Sequence, residues 1–291
     1  MDTTATAPLL EAAPSAVAPR RIYRHRLPVR VMHWINVVCL TILLGSGLNI
    51  FNAHPALYWG DHSSTTPWLA MRAENSPAGP VGKTRFAGTD FTTTGVLGLS
   101  DVDGRPAGRA FPSWATIPGP QWLAMARHWH LFFAWLFVIN GVAYVLYTIF
   151  SRHLTRDLVP TRLELKNIGR SIVDHLKLRH PTGDAATRYN VLQSLTYLIV
   201  IFGLLPLIIV AGLAMSPRLN AVWPGWVELL GGRQSARTLH FLAAFGLLGF
   251  VLIHVFEVIV AGIWNEMRSM ITGWYTLPAD ERRTAREEGR P

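Results

Sequence analysis

Residues 237–256 read RTLHFLAAFGLLGFVLIHVF. Past Arg237, the stretch is fit to cross a lipid bilayer except for two histidines, His240 and His254. A polar ring in hydrocarbon costs free energy unless something satisfies it. Helical geometry fixes how the two rings relate. From position 240 to 254 a helix turns through about 1400°, about 40° short of four turns, and rises about 21 Å. Both rings therefore face the same way, near opposite edges of the hydrocarbon.

The same composition recurs along the chain. A spanning helix needs about 20 mostly apolar residues. Segments 31–51 (VMHWINVVCLTILLGSGLNIF), 129–150 (WHLFFAWLFVINGVAYVLYTIF) and 191–214 (VLQSLTYLIVIFGLLPLIIVAGLA) join 238–262 in meeting it. Charged residues are 15% of the chain, against about 25% in soluble domains. The expected fold is all-α: an integral membrane four-helix bundle over residues 21–275. A long extracytoplasmic loop or cap, 52–128, separates the first two spans. It has little helical or strand periodicity, and its Trp59, Trp68, Trp114 and Trp122 favour packing or interfacial burial. In the 151–190 connection Leu165, Ile168, Ile172 and Leu176 recur at helical spacing among basic residues. That pattern predicts an amphipathic helix at the membrane surface. Pro206 predicts a kink in the third span. Residues 1–20, rich in Ala, Pro and Thr, read as a disordered tail without a signal-peptide core, and 276–291 as a second tail.

The net charge of +9 is not spread evenly. Arg20, Arg21, Arg24, Arg26 and Arg30 precede the first span, eight further Lys and Arg lie in 151–190, and Arg268, Arg282, Arg283, Arg286 and Arg290 follow the fourth. By the positive-inside rule both termini are cytoplasmic and the 52–128 segment faces the other side. The basic excess is thus a topology signal and an attraction to anionic membrane lipid, with no nucleic acid implied. The single cysteine, Cys39, excludes an intrachain disulfide, and no CxxCH motif exists for covalent haem.

Topology assigns each histidine a depth. His33 begins an outward-running span at the inner level; His130 begins an inward-running one at the outer level. The levels pair His33 with His254 and His130 with His240. Two stacked histidine pairs in a bundle suit two b-type haems, each iron held by two imidazoles. His128 and His130 lie about 200° apart on a helix, so one of them faces inward; the neighbouring pattern prefers His130. That pattern is Arg30, Arg127 and Arg237, each three residues before His33, His130 and His240. One turn toward the surface is where haem propionates would lie, and arginine binds carboxylates through its planar fork. Gly47 and Gly141 share the faces of His33 and His130 at the opposite haem levels, where a missing side chain leaves room for a macrocycle.

The segments RVMHWIN, FPSWATIPG, ARHWHLFFAWLFVINGVAY, RYNVLQSLTY and RTLHF…LIHVF carry a resemblance. Over about residues 21–275 the chain resembles the four-span cytochrome b subunits of the bacterial cytochrome b561 and nickel-hydrogenase cytochrome b group. The closest likeness is to membrane subunits of periplasmic molybdopterin oxidoreductases, including those called thiosulfate reductase cytochrome b. The resemblance implies a bacterial inner-membrane location and haem ligands at His33, His130, His240 and His254. It also implies a quinone beside the inner haem near Asn190 and Gln193, an amide pair able to hydrogen-bond a quinone carbonyl; helix capping by Asn190 is the alternative. The 52–128 loop is far longer than in free-standing b561 proteins, which favours a docked partner.

The expected function is electron transfer between the quinone pool and a periplasmic redox partner of the molybdopterin or hydrogenase type. Glu257, one turn beyond His254, is a candidate for quinone protonation or a plain paired carboxylate. One alternative is a self-contained haem oxidoreductase acting on a small extracytoplasmic molecule such as superoxide. A non-redox proton pathway is another, but it leaves the matched depths unexplained.

Overall fold

The structure, a computed structural model, describes residues 20–277 apart from 103, 153, 155–157, 167, 178–189 and 224. The reading of 1–19 as a tail, and of 278–291, lies outside the described residues. Four helices are long and apolar enough to cross a membrane: Leu27–Asn52, Leu123–Phe150, Val191–Ala214 and Arg233–Val260, here spans 1 to 4. The chain is a multi-pass membrane protein. Span 1 packs along span 2, and span 3 along span 4, while the two pairs make few close backbone approaches to each other.

Local chemistry explains the helix details. Span 1 opens with proline in its first turn, where a missing N–H leaves nothing unpaired. In span 3 a π-helical stretch, Val200–Leu204, interrupts the α-helix just before Pro206. Proline removes one hydrogen bond of the ladder, and the wider turn absorbs the defect. In the connection between spans 2 and 3, two short helices, Arg162–Lys166 and Ile168–Leu176, cover the predicted amphipathic segment.

The helical expectation holds for the spans, but the connection between spans 1 and 2 departs from it. Strand β1 (Arg21–Tyr23) precedes span 1, and β2 (Ala56–Leu57), β3 (Leu69–Ser76), β4 (Gly79–Phe86) and β5 (Thr89–Thr92) follow it. Strands β2 to β5 form an antiparallel sheet in sequence order. A small hairpin, β6 (Ser100–Val102) with β7 (Arg105–Ala107), lies beside it. Two-residue turns set the sheet's register, pairing Ser76 with Gly79 and Phe86 with Thr89. At the second turn Ala87 and Gly88 both have positive φ, the backbone a tight hairpin of this hand requires.

This β cap is fused to the bundle. Phe51, Leu57, Leu69, Met71, Ala110 and Phe111 form one buried cluster, against which Leu48 and Phe241 of spans 1 and 4 pack. Buried amides then tie backbone to backbone. Asn49 donates to the carbonyls of Pro118 (2.6 Å) and Pro120 (2.9 Å). Asn52 donates to Phe111 O (3.2 Å) and accepts from Phe111 N (2.8 Å). The carbonyl of Gly60 accepts from the amides of Gln234 and Ser235 at the start of span 4, satisfying donors that a helix cannot pair itself.

The opposite end is closed by a clasp. Strand β8 (Trp274–Thr276) pairs antiparallel with β1, so the two ends of the described chain meet there. Helix Ile263–Thr272 leads into it, and Glu266 on that helix pairs with Arg24 at 3.2 Å.

Candidate functional site

Spans 1, 2 and 4 bring four histidines into two facing pairs. His33 faces His254 with ring centroids 6.3 Å apart, and His130 faces His240 at 6.2 Å. One member of each pair comes from the span 1–span 2 unit and the other from span 4, so each pair bridges the two helix units. His128 is exposed on the surface of span 2. The His254 ring stacks on Phe250 (5.9 Å, 17° between planes), and among the described residues the buried Nδ1 of His33 has no hydrogen-bond partner.

The cap-side rings sit in tighter cradles. His130 Nδ1 lies 3.0 Å from Ser46 Oγ, and His240 Nδ1 lies 2.8 Å from the carbonyl of Ile208. Each ring also packs closely against a glycine. A Cβ on Gly47 would come 3.3 Å from His130 Cε1, and one on Gly212 would come 3.1 Å from His240 Cε1. Gly141 has nothing within 4 Å of its missing Cβ. Ser46, Ile208 and Gly212 were not singled out in the sequence. Gly212 was open to detection, since it stands near the cap end of span 3, at the depth of His240.

The spacing of the rings is chemically specific. Two metal–imidazole bonds of about 2.0–2.1 Å, with each ring nitrogen about 1.1 Å from its ring centre, need centres about 6.2–6.4 Å apart. Both pairs have that separation. Among the described residues no group of three or more His, Cys, Asp or Glu could hold a bare ion. Two opposed imidazoles with no third ligand suit a metal that brings its own equatorial ring, as haem iron does.

The arginines differ from one another. Arg237 donates to the carbonyls of His54 (2.5 Å) and Ala56 (3.0 Å) and lies over the Phe51 ring, pinning the cap to span 4. Burial, and next the Arg237 guanidinium, hold the His54 imidazole below its ordinary pKa. Arg30 reaches Tyr23 OH at 3.5 Å, and among the described residues its buried Nε has no partner. Arg127 is exposed. In the cap Arg109 is 5% exposed; it donates to Gly119 O and Thr116 Oγ1, both at 3.0 Å, and burial lowers its pKa.

Asn190 and Gln193 form a capping box at the start of span 3. Asn190 Oδ1 accepts from Leu192 N at 3.2 Å, and Gln193 Oε1 accepts from Asn190 N at 3.2 Å. Ser171 also donates to Asn190 Oδ1. Both side-chain oxygens are engaged, so only the NH2 groups are left as donors toward a ligand carbonyl. Glu257 is half-buried one turn beyond His254.

Facing intramembrane histidine pairs in a bundle of four spans define a membrane haem protein of the cytochrome b kind. The chain belongs to the prokaryotic cytochrome b561 family, whose model matches residues 24–273. Among curated proteins it is similar to the putative protein-methionine-sulfoxide reductase subunit YedZ1 of Azospira oryzae, with 28% identity over 255 residues covering 87% of this chain and 98% of that one. No solved structure matches it.

Proposed function

We propose that this chain is the di-haem b membrane subunit of a quinone-linked oxidoreductase. His33 and His254 hold one haem b, and His130 and His240 the other. The observation that carries this reading is the pair of 6.3 and 6.2 Å ring separations at two levels of one bundle. Haem supplies one-electron chemistry; the protein supplies ligands, spacing and insulation. The rise of about 21 Å between positions 240 and 254 sets the separation of the two levels. Phe51, Phe241, Phe245 and Phe111 interlock at the cap end.

Orientation follows from charge. Both termini are cytoplasmic, in a bacterial inner membrane, and the cap is periplasmic. Pairing of β1 with β8 supports placing both termini on one side. Quinone exchanges electrons at the His33–His254 level, where the NH2 groups of Asn190 and Gln193 are available donors for its carbonyl. Arg30, with its unpartnered Nε, and Arg237, which among the described residues has no carboxylate partner, are the stronger propionate partners; exposed Arg127 is the weakest. A redox partner docks on the cap, which stands over the cap-side pair. The resemblance implies a molybdopterin enzyme there, and the relative's name favours one that reduces methionine sulfoxide over a hydrogenase. The cap also argues against direct reaction of superoxide at the outer level.

The test is spectral. Purified chain should contain two haem b per polypeptide in a pyridine haemochrome assay, with b-type bands in the reduced-minus-oxidised spectrum. His254→Ala and His130→Ala should each remove one component. Absence of b-type bands, or a spectrum unchanged in both variants, sinks the assignment.

A further inference from the structure

The two histidine pairs share a spacing but not an environment, and the difference lies at Nδ1. Ser46 is fully buried, and its Oγ lies 2.6 Å from Ile42 O and 3.3 Å from Leu43 O. A hydroxyl has one proton, and a carbonyl oxygen only accepts. The Ser46 proton is therefore committed to the helix carbonyl one turn back, and its lone pair faces His130 Nδ1 at 3.0 Å. Nδ1 must carry the proton and donate. The same logic applies to His240, whose Nδ1 can only donate to the Ile208 carbonyl at 2.8 Å. A neutral imidazole protonated at Nδ1 presents a bare Nε2, so both cap-side rings are locked in the ligand tautomer, with centroids 6.2 Å apart.

The glycines make these bonds reachable. Gly212 is one turn beyond Ile208, and a Cβ there would stand 3.2 Å from His240 Nδ1. Gly47 adjoins Ser46, with a Cβ position 3.7 Å from His130 Nδ1. Among the described residues no such anchoring exists for His33, whose buried Nδ1 makes no hydrogen bond with them.

We infer that Ser46 and the Ile208 carbonyl are positioning groups that set the cap-side haem at a lower reduction potential than the other. The inference rests on the di-haem reading above. An imidazole that donates from Nδ1 to an acceptor is a more basic ligand and favours the more positive iron state. Two donating ligands act on the cap-side iron, whereas the His33 side of the other iron lacks this push.

Optical redox titration of the purified, haem-loaded full chain tests this. Wild type should show two b-type components of different midpoint, and His130→Ala should remove the lower. In Ser46→Ala the lower midpoint should rise, narrowing the gap, while the upper stays in place; Ser46→Thr, which keeps the hydroxyl, should restore it. Gly212→Ala, which pushes His240 away from Ile208, should raise the same component and serves if Ser46→Ala does not accumulate. Ser46→Ala with both midpoints unchanged, or both moved equally, overturns the inference. So does loss of the upper component in His130→Ala. A wild-type chain lacking two b-type components would instead refute the di-haem reading.

Discussion

At the capped end, the spans finish in side chains that are buried and bonded to backbone. Asn49 is fully buried and holds two carbonyls, Asn52 pairs with both the N–H and the C=O of Phe111, and Thr238 donates to Tyr58 O at 2.6 Å. At the opposite end, closure rests on a three-residue strand pair, backbone bonds from Arg24 and His25 to Gly273 O, Arg24 against both Glu266 and the Tyr275 ring, and a bond from Trp34 Nε1 to Met270 O at 3.2 Å. Beside that clasp lies an apolar groove of about 510 Å³ lined by Arg30, Trp34, Val38 and Leu136 among others. The contrast follows the two histidine pairs. Anchored rings sit under the anchored end, and the ring with a free Nδ1 sits at the looser one. Rigid anchoring suits a site presented to a docked protein, because positioning is settled before the partner arrives. A looser end suits exchange with a small mobile carrier.

The largest break in this contrast should come from Asn52→Ala. It strands the buried N–H and C=O of Phe111, and each unsatisfied group costs about 1–3 kcal/mol. Thermal unfolding in detergent should fall clearly, and protease should cut within 53–122 before it cuts the spans. Cap cleavage no faster than in wild type would show that the apolar cluster alone holds the cap. Glu266→Gln should cost less, about 1 kcal/mol or below, because the amide oxygen still accepts the hydrogen bond from Arg24. Its signature is faster hydrogen exchange at 21–23 and 274–276 with the cap unaffected; faster exchange in the cap as well would mean the ends are coupled.

The smallest effect concerns pH. Glu74 is held below the ordinary carboxylate pKa, first by its hydrogen bond to Lys83 and then by Arg72. Asp90 is lowered chiefly by its hydrogen bond to Arg85. Both groups are more acidic folded than unfolded. Their contribution is complete above the unfolded carboxylate range of about 4 and is lost as pH falls through the lower folded values. Exchange protection of β3 and β4, corrected for intrinsic rate, should decline in that acidic window, and salt should mimic the loss. Glu74→Gln should flatten the dependence; an unaltered pH profile would remove the ion network from the account.

Much of the cap was hidden in sequence for a physical reason. By register Arg72, Glu74, Lys83, Arg85 and Asp90 all lie on one face of its sheet and pair there, while the other face mixes Met71 and Phe86 with Ala73, Gly82 and Thr84, so the apolar–polar alternation is weak. Gly79, Pro80 and Gly82 further blur a strand that reads as loop. The two-residue turns at 77–78 and 87–88 were the available signal. Asn190 looked equally fit for a ligand or a cap, and the capping box shows where its oxygen goes.

The spans, their number and the expected depths of His33, His130, His240 and His254 follow from local quantities. Bilayer thickness sets helix length, and a fixed rise and turn per residue carry a position into a depth and a face. Those quantities act within one segment, so a single strand of text contains them. What each polar group touches does not follow, because partners come from segments far apart in the chain. Arg237 meets the carbonyls of His54 and Ala56 across 183 and 181 positions, and His240 finds Ile208 across 32. Hydrogen bonding is short-ranged and directional, so only the folded packing of cap on bundle could assign those donors.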